Sequence, residues 1–147
     1  MRVFIAGATG FIGRALIPLL QREGHSVVAW VRSERSARSR LGADVDVVTV
    51  GAGNDALMAA LERCDAVVNL AGDPLLAGRW TEARRRSIVE SRVGLTRQLV
   101  NALTAAKTRP SVFVSGSAVG YYGDRADESL SEASSPGGDL QIGRAHV

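Results

Sequence analysis

The sequence predicts an α/β fold built on a doubly wound parallel sheet with helices on both faces. Two observations carry this. Short, almost wholly apolar runs alternate with stretches of helical periodicity from the first residue, and the first run ends in three glycines at fixed spacing, Gly7, Gly10 and Gly13. An apolar run without polar alternation suits a strand buried on both faces, as in parallel sheets. Helices between successive strands supply the crossovers that parallel pairing needs.

Arg2–Ala6 is the first strand. Phe11–Arg22 follows as a helix, with apolar residues at Phe11, Ile12, Ala15, Leu16, Leu19 and Leu20. Pro18 within it bends the helix or shifts its end, and Gly24 suits a left-handed cap. Val27–Val31 and Val45–Val50 are the second and third strands. The polar, arginine-rich Ser33–Leu41 between them reads as a loop or a frayed helical turn. Ala56–Leu61 makes a short helix and Ala66–Leu70 a fourth strand. Thr81 caps a long helix reaching about Ala106, with Ile88, Leu95, Leu99 and Leu103 towards the core. Ser111–Ser115 is the fifth strand, ahead of a loop rich in Gly, Ser and Asp.

Composition narrows the function. At 147 residues, 46% hydrophobic and 22% charged, the chain suits one globular domain. A single cysteine, Cys64, excludes an internal disulfide and a cysteine-built zinc or iron–sulfur site. With only His25 and His146 besides, no metal site is expected. Eighteen basic residues stand against 15 acidic, too small an excess to expect nucleic-acid binding. No apolar run approaches the ~20 residues of a membrane span, and Gly7 interrupts the first strand too early for a signal-peptide core. The cytoplasm is the expected compartment. Residues 141–147 have neither helical nor strand logic, and Ile142–Val147 matches the translation of a widely used sequencing-adapter end. The genuine domain is therefore expected to be 1–140, with 141–147 a read-through tail.

Gly7-Ala8-Thr9-Gly10-Phe11-Ile12-Gly13 directly follows the first strand and opens the first helix. With 16 glycines, chance produces that spacing about 0.2 times in a chain of this length, so the context decides. Gly7 permits the tight turn, Gly10 the close approach of a pyrophosphate, and Gly13 close helix–strand packing. Amides near Phe11 and Ile12, with the helix dipole, suit the phosphate charge. Gly7, Thr9, Gly10, Phe11, Ile12 and Gly13 are thus candidate dinucleotide contacts. An acid at the tip of the second strand would favour NAD; here the tip reads Ala29-Trp30-Val31-Arg32-Ser33. Arg32, with Ser33 and Arg35, suits a 2′-phosphate instead, so NADP is expected over NAD.

Four segments in order then carry a resemblance: Gly7–Gly13, Gly24-His25-Ser26-Val27-Val28, Asn69-Leu70-Ala71-Gly72, and Ser115-Gly116-Ser117-Ala118-Val119-Gly120-Tyr121-Tyr122-Gly123. Together they resemble the NAD-dependent epimerase/dehydratase family of extended, atypical short-chain dehydrogenases. Arg79-Trp80-Thr81-Glu82-Ala83-Arg84 points to its bacterial branch labelled nucleoside-diphosphate-sugar epimerase. The resemblance implies a Rossmann domain with strand order 3-2-1-4-5. It further implies two more strands and a C-terminal substrate lobe that this chain does not carry, so the chain alone is expected to be inactive and marginally soluble. Ala71 and Gly72 would line the cofactor cleft near the adenosine-side ribose, while Asn69 braces the strand end. Ser117 falls at the family's catalytic serine, which hydrogen-bonds the reacting carbonyl or hydroxyl of a small substrate.

Three features depart from that pattern. The family's catalytic tyrosine, with a lysine four residues later, is expected where the tail at 141 begins or later: the only lysine here is Lys107, and Tyr121 with Arg125 lies in a glycine-bounded loop. An active-site asparagine of many relatives maps to Arg92, which needs a partner if buried. No aspartate follows the third strand at Thr49-Val50-Gly51-Ala52. The expectation is an NADP-dependent oxidoreductase or epimerase; the alternative is a non-catalytic NADP(H) sensor. Arg84-Arg85-Arg86 reads as a solvated helix face, Trp30 and Trp80 as packing or rim residues, Cys64 as a small buried hydrophobe. Asp124, Asp127 and Glu128 read as a flexible acidic loop.

Overall fold

A computed structural model of the chain describes residues 1–74 and 79–137. The expected read-through tail and the expected domain end at 140 lie outside the described residues. Five strands, β1 (Arg2–Ala6), β2 (Ser26–Val31), β3 (Asp46–Thr49), β4 (Ala66–Asn69) and β5 (Val112–Ser115), pair in parallel in the order β3-β2-β1-β4-β5. That is the expected doubly wound sheet, with β1 at its centre.

Alternation along the strands divides the core into two layers. Val3 and Ile5 face one way, packing with Val27, Ala29, Ile17 and Ala37 under α1 (Phe11–Arg22) and α2 (Glu34–Leu41). Phe4 and Ala6 face the other, with Val28, Trp30, Leu57, Leu61 and Leu99, under α3 (Gly53–Leu61) and α5 (Leu95–Ala105). Full burial of each large apolar side chain contributes about 1.5–3 kcal/mol, so Phe4, Ile5, Leu57, Leu61 and Leu99 anchor both layers. The ring of Trp30 lies tilted against Phe4 at 6.3 Å, a packing residue, whereas Trp80 is exposed at the rim.

Several elements differ from their expected form. Ser33–Leu41 is a true helix: Ser33 caps it by accepting from the Ser36 amide, and Arg38 pairs with Glu34 one turn back. The third strand is shorter, ending at Thr49 before a 3-10 turn at Val50–Ala52. Phe11 and Ile12 stay out of the core, 86% and 60% exposed, because the first turn of α1 overhangs the glycine loop. The long helix is capped by Thr81 as expected but is interrupted: α4 (Glu82–Val89) passes through a π turn at Glu90–Gly94 into α5. Gly24 adopts φ +77° as the left-handed residue after α1. Among the described residues strand β5 pairs only with β4, and Val112, Phe113 and Val114 are exposed on both its faces.

Candidate functional site

The carboxyl ends of four strands form one row. Ala6 of β1 is in register with Trp30 of β2 on one side and Asn69 of β4 on the other, and Asn69 with Ser115 of β5. Four exits from that row are therefore neighbours: Gly7–Gly13, Arg32–Ser33, Leu70–Pro74 and Gly116–Ser117. Ligands of open parallel sheets bind at this edge, where successive connections diverge to opposite faces.

The glycine loop closes by steric necessity. Gly7 has φ +79°, and a Cβ there would meet the Leu70 carbonyl oxygen at 2.5 Å and the Ala71 nitrogen at 2.8 Å. The turn after β1 is thus pressed against the exit from β4. The Gly10 amide donates to the Gly7 carbonyl at 2.9 Å. A Cβ at Gly13 would lie 2.6 Å from the carbonyl oxygens of Gly7 and Ala8, so only glycine lets α1 begin this close to the strand. The amides of Phe11, Ile12 and Gly13 belong to the first turn and have no carbonyl four residues back to accept them. Free first-turn amides, with the helix dipole, are an arrangement that can hold a diphosphate. Thr9 sits half-buried in the loop, and Gly10 is exposed.

Arg32 leaves β2 beside this loop with its side chain 89% exposed, and Arg35 is exposed nearby on α2. Ser33 is occupied as the cap of α2 through its oxygen lone pair.

The exit from β4 is held by a polar network. Asn69 is fully buried; its Nδ2 donates to Thr96 Oγ1 at 2.9 Å and its Oδ1 accepts from the Ala71 amide at 3.3 Å. It therefore braces the strand end, as expected. Arg92 is buried, 8% exposed. Its guanidinium lies where a side chain at Gly72 would go, and it donates to the carbonyls of Ile88 at 3.2 Å and Asp73 at 3.1 Å. Burial lowers its pKa, the Asp73 carboxylate raises it, and Arg84 lowers it again. The partner that a buried Arg92 requires is thus mainly the β4 exit loop. Asp73 is the hub: its amide donates to Ser91 Oγ at 2.9 Å, and its carboxylate accepts from Ser87 at 2.6 Å and faces Arg84 at 3.6 Å. Arg84 also donates to the Pro74 carbonyl, so it leaves the solvated face on which Arg85 and Arg86 remain.

Ser117 is exposed two residues beyond β5, and the Gly116 amide donates to the Asn69 carbonyl at 2.8 Å. The structure therefore brings the glycine loop, Arg32, Ala71, Gly72 and Ser117 to one edge. Tyr121 and Arg125 do not form a catalytic pair: Arg125 binds the Tyr122 carbonyl, Glu128 and Ser135. That clamp ties down the acidic loop expected to be flexible. Lys107 follows α5 at the opposite edge of the sheet, where its amide donates to Glu62. Cys64 is buried, which pushes its thiol pKa up, as a small hydrophobe would require. Among the described residues no cluster of His, Cys, Asp and Glu could hold a metal ion, and no helix is long and apolar enough to cross a membrane.

Asp73, Ser87 and Ser91 were not foreseen as parts of this site. Arg92 had a signal: it falls in the stripe Ile88, Arg92, Leu95, Leu99, Ala102, at alternating steps of four and three residues. A charged residue in an apolar stripe is a buried one.

Epimerase family protein SDR39U1 of Bos taurus is 38% identical over 144 residues, covering 97% of this chain and 45% of its own length. Epimerase family protein YfhF of Bacillus subtilis is 32% identical over 134 residues, covering 91% and 43%. The crystal structure of human SDR39U1 (isoform 2) with NADPH superimposes on all of this chain and 49% of its own, at a TM-score of 0.79 and 34% identity. The chain spans less than half the length of the curated relatives it matches. The profile that matches residues 3–140 describes one family: the chain belongs to the NAD dependent epimerase/dehydratase family.

Proposed function

We propose that the protein carrying this chain binds NADP(H) across the Gly7–Gly13 loop and acts as an oxidoreductase or epimerase of the short-chain dehydrogenase type. Its substrate is a small hydroxyl or carbonyl compound, sugar-nucleotide-like in character. The observation that carries the reading is steric. Gly7 and Gly13 leave no room for a Cβ, and the close packing they allow directs first-turn amides at the space above β1. Phosphate charge suits those amides, and Gly10 leaves the surface open for the diphosphate to approach. Arg32, exposed at the β2 tip with no acid beside it in sequence, holds the 2′-phosphate with Arg35, and Ser33 contributes its hydroxyl proton. Ala71 and Gly72 form the wall beside the adenosine-side ribose. The nicotinamide supplies hydride transfer, and Ser117 holds the reacting substrate oxygen by a hydrogen bond. The human relative solved with NADPH supports a nicotinamide dinucleotide as the coenzyme.

The 147-residue chain alone is expected to show no turnover. A second reading is an NADP(H) sensor without turnover; a tyrosine–lysine pair in the intact protein would favour the enzyme over it. Calorimetric titration of the intact protein with NADPH and NADH tests the first reading. NADPH should bind more tightly, and Arg32→Asp should invert the order. An unchanged ratio overturns the NADP assignment, and no heat with either coenzyme overturns the whole reading. Tight NADPH binding without turnover on any hydroxyl or carbonyl substrate would favour the sensor.

A further inference from the structure

Strands β2 and β4 flank β1, so any contact between their exits passes over the glycine loop. One exists: Arg32 Nη1 of the β2 exit lies 3.9 Å from Asp73 Oδ1 of the β4 exit. Among the described residues, Asp73 is the carboxylate within ion-pair distance of Arg32. The two partners differ in freedom. Arg32 is 89% exposed and can swing, whereas Asp73 is fixed by Ser87 on its carboxylate, Ser91 on its amide and Arg92 on its carbonyl. Arg84 faces the same carboxylate. Three permanently charged guanidinium groups around one carboxylate leave the cluster positive. The Nε atoms of Arg84 and Arg92 are also buried without a hydrogen-bond partner.

We propose that Asp73 is a specificity-determining residue of this cleft: its carboxylate competes with the 2′-phosphate of the coenzyme for Arg32. The inference rests on the NADP reading above. When Arg32 turns to Asp73 it closes over β1, and when it turns to a 2′-phosphate that contact is released. A coenzyme without the 2′-phosphate has nothing to offer Arg32 in exchange. Neutralising Asp73 therefore improves binding of the phosphorylated coenzyme selectively. Asn in its place keeps the side-chain volume and an oxygen for Ser87 to donate to, so the loop retains its support.

The test is calorimetric titration of the intact protein with NADPH and NADH in four single variants and one double variant. Asp73→Asn should raise the NADPH-to-NADH affinity ratio about two- to fivefold, the range set by exposed ion pairs. Asp73→Ser carries the same expectation should the first variant fail to fold. Ser87→Ala, which removes a support of the loop but keeps the charge, should not raise the ratio. Arg32→Ala should lower the ratio and abolish most of the gain from Asp73→Asn when the two are combined. A ratio that stays level or falls in Asp73→Asn overturns the proposal, as does an equal gain without Arg32 or an equal gain in Ser87→Ala. If Arg32→Ala lowers the ratio while Asp73→Asn is inert, this proposal fails and the NADP reading stands. If Arg32→Ala leaves the ratio unchanged, both fail.

Discussion

Replacing Gly13 with alanine tests the reasoning about the glycine loop at its tightest point. The added Cβ would meet two carbonyl oxygens at 2.6 Å and the Ala8 Cα at 2.7 Å, all of them backbone. No flexible side chain can yield, so α1 must retreat by roughly 0.8 Å to restore ordinary contact. Overpacking of this kind costs about 1–3 kcal/mol, and rigid neighbours put Gly13 at the upper end. Alanine's better helix propensity returns about 1 kcal/mol, which leaves a net loss of about 2 kcal/mol. For a domain near this size each kcal/mol moves Tm by about 2–4 °C, so the expected drop is about 4–8 °C. The retreat also draws the first-turn amides away from a bound diphosphate. Losing one charge-assisted hydrogen bond, about 1.5–3 kcal/mol, weakens NADPH binding at least about tenfold. Thermal unfolding by circular dichroism and NADPH titration of the intact protein measure the two effects. Gly51→Ala is the control, because nothing lies within 4 Å of the Cβ it adds. If Gly13→Ala keeps its Tm within about 1 °C and its Kd within about twofold, the packing argument is wrong.

Other expectations follow from the same structure. Asn69→Leu should destabilise by about 2–4 kcal/mol, since the Ala71 amide and the Thr96 hydroxyl both lose their partner, and Thr96→Ala should cost less; denaturant melts of the two variants give the ranking. Arg92→Met should change stability by less than about 1.5 kcal/mol, because apolar replacement of a buried charge is often neutral, yet should speed hydrogen exchange around Asp73, which loses its carbonyl partner. The burial that raises the Cys64 pKa keeps its proton on in the folded state while the unfolded chain releases it. Stability should therefore fall as pH rises through the ordinary thiol range, a fall that Cys64→Ala abolishes in pH-dependent melts. Expressed alone, the 147-residue chain should self-associate with rising concentration through β5, and Val112→Lys with Val114→Lys should suppress this in analytical ultracentrifugation.

The strands were legible because burial on both sides leaves a plain mark. Arg2–Ala6, Val27–Val31 and Ala66–Leu70 are almost wholly apolar without alternation, and the sheet uses all three at its centre. Helix α2 was illegible for the converse reason. Only Ala37 of its eight residues is buried, so it has almost no apolar stripe, and its stability comes from the Ser33 cap and the Glu34–Arg38 pair. Phe11 and Ile12 misled in the opposite direction. They fit a helical period, but position in the first turn, not period, decides whether a residue reaches the sheet. The π turn at Glu90–Gly94 has a local correlate, since the Glu90 carboxylate occupies the space left by the missing side chain of Gly94, but no pattern of apolar residues announces it.

The same distinction explains which half of the candidate site could be read. The glycine loop is local: three glycines, one strand and one helix lie within a single stretch, and each glycine has a steric reason that spacing alone expresses. The charge cluster is not local. Arg32, Asp73, Arg84 and Arg92 come from the β2 exit, the β4 exit, α4 and the π turn, and only the placement of β1 between β2 and β4 brings the first two together. Linear reading could assign Arg32 to a 2′-phosphate because it saw no acid beside it in sequence, yet the acid that matters lies across the sheet. A preference inferred from the β2 tip alone therefore omits a term of opposite sign. On the proposed reading, the cleft's selectivity is set by the difference between what Arg32 gains from a phosphate and what it gives up at Asp73.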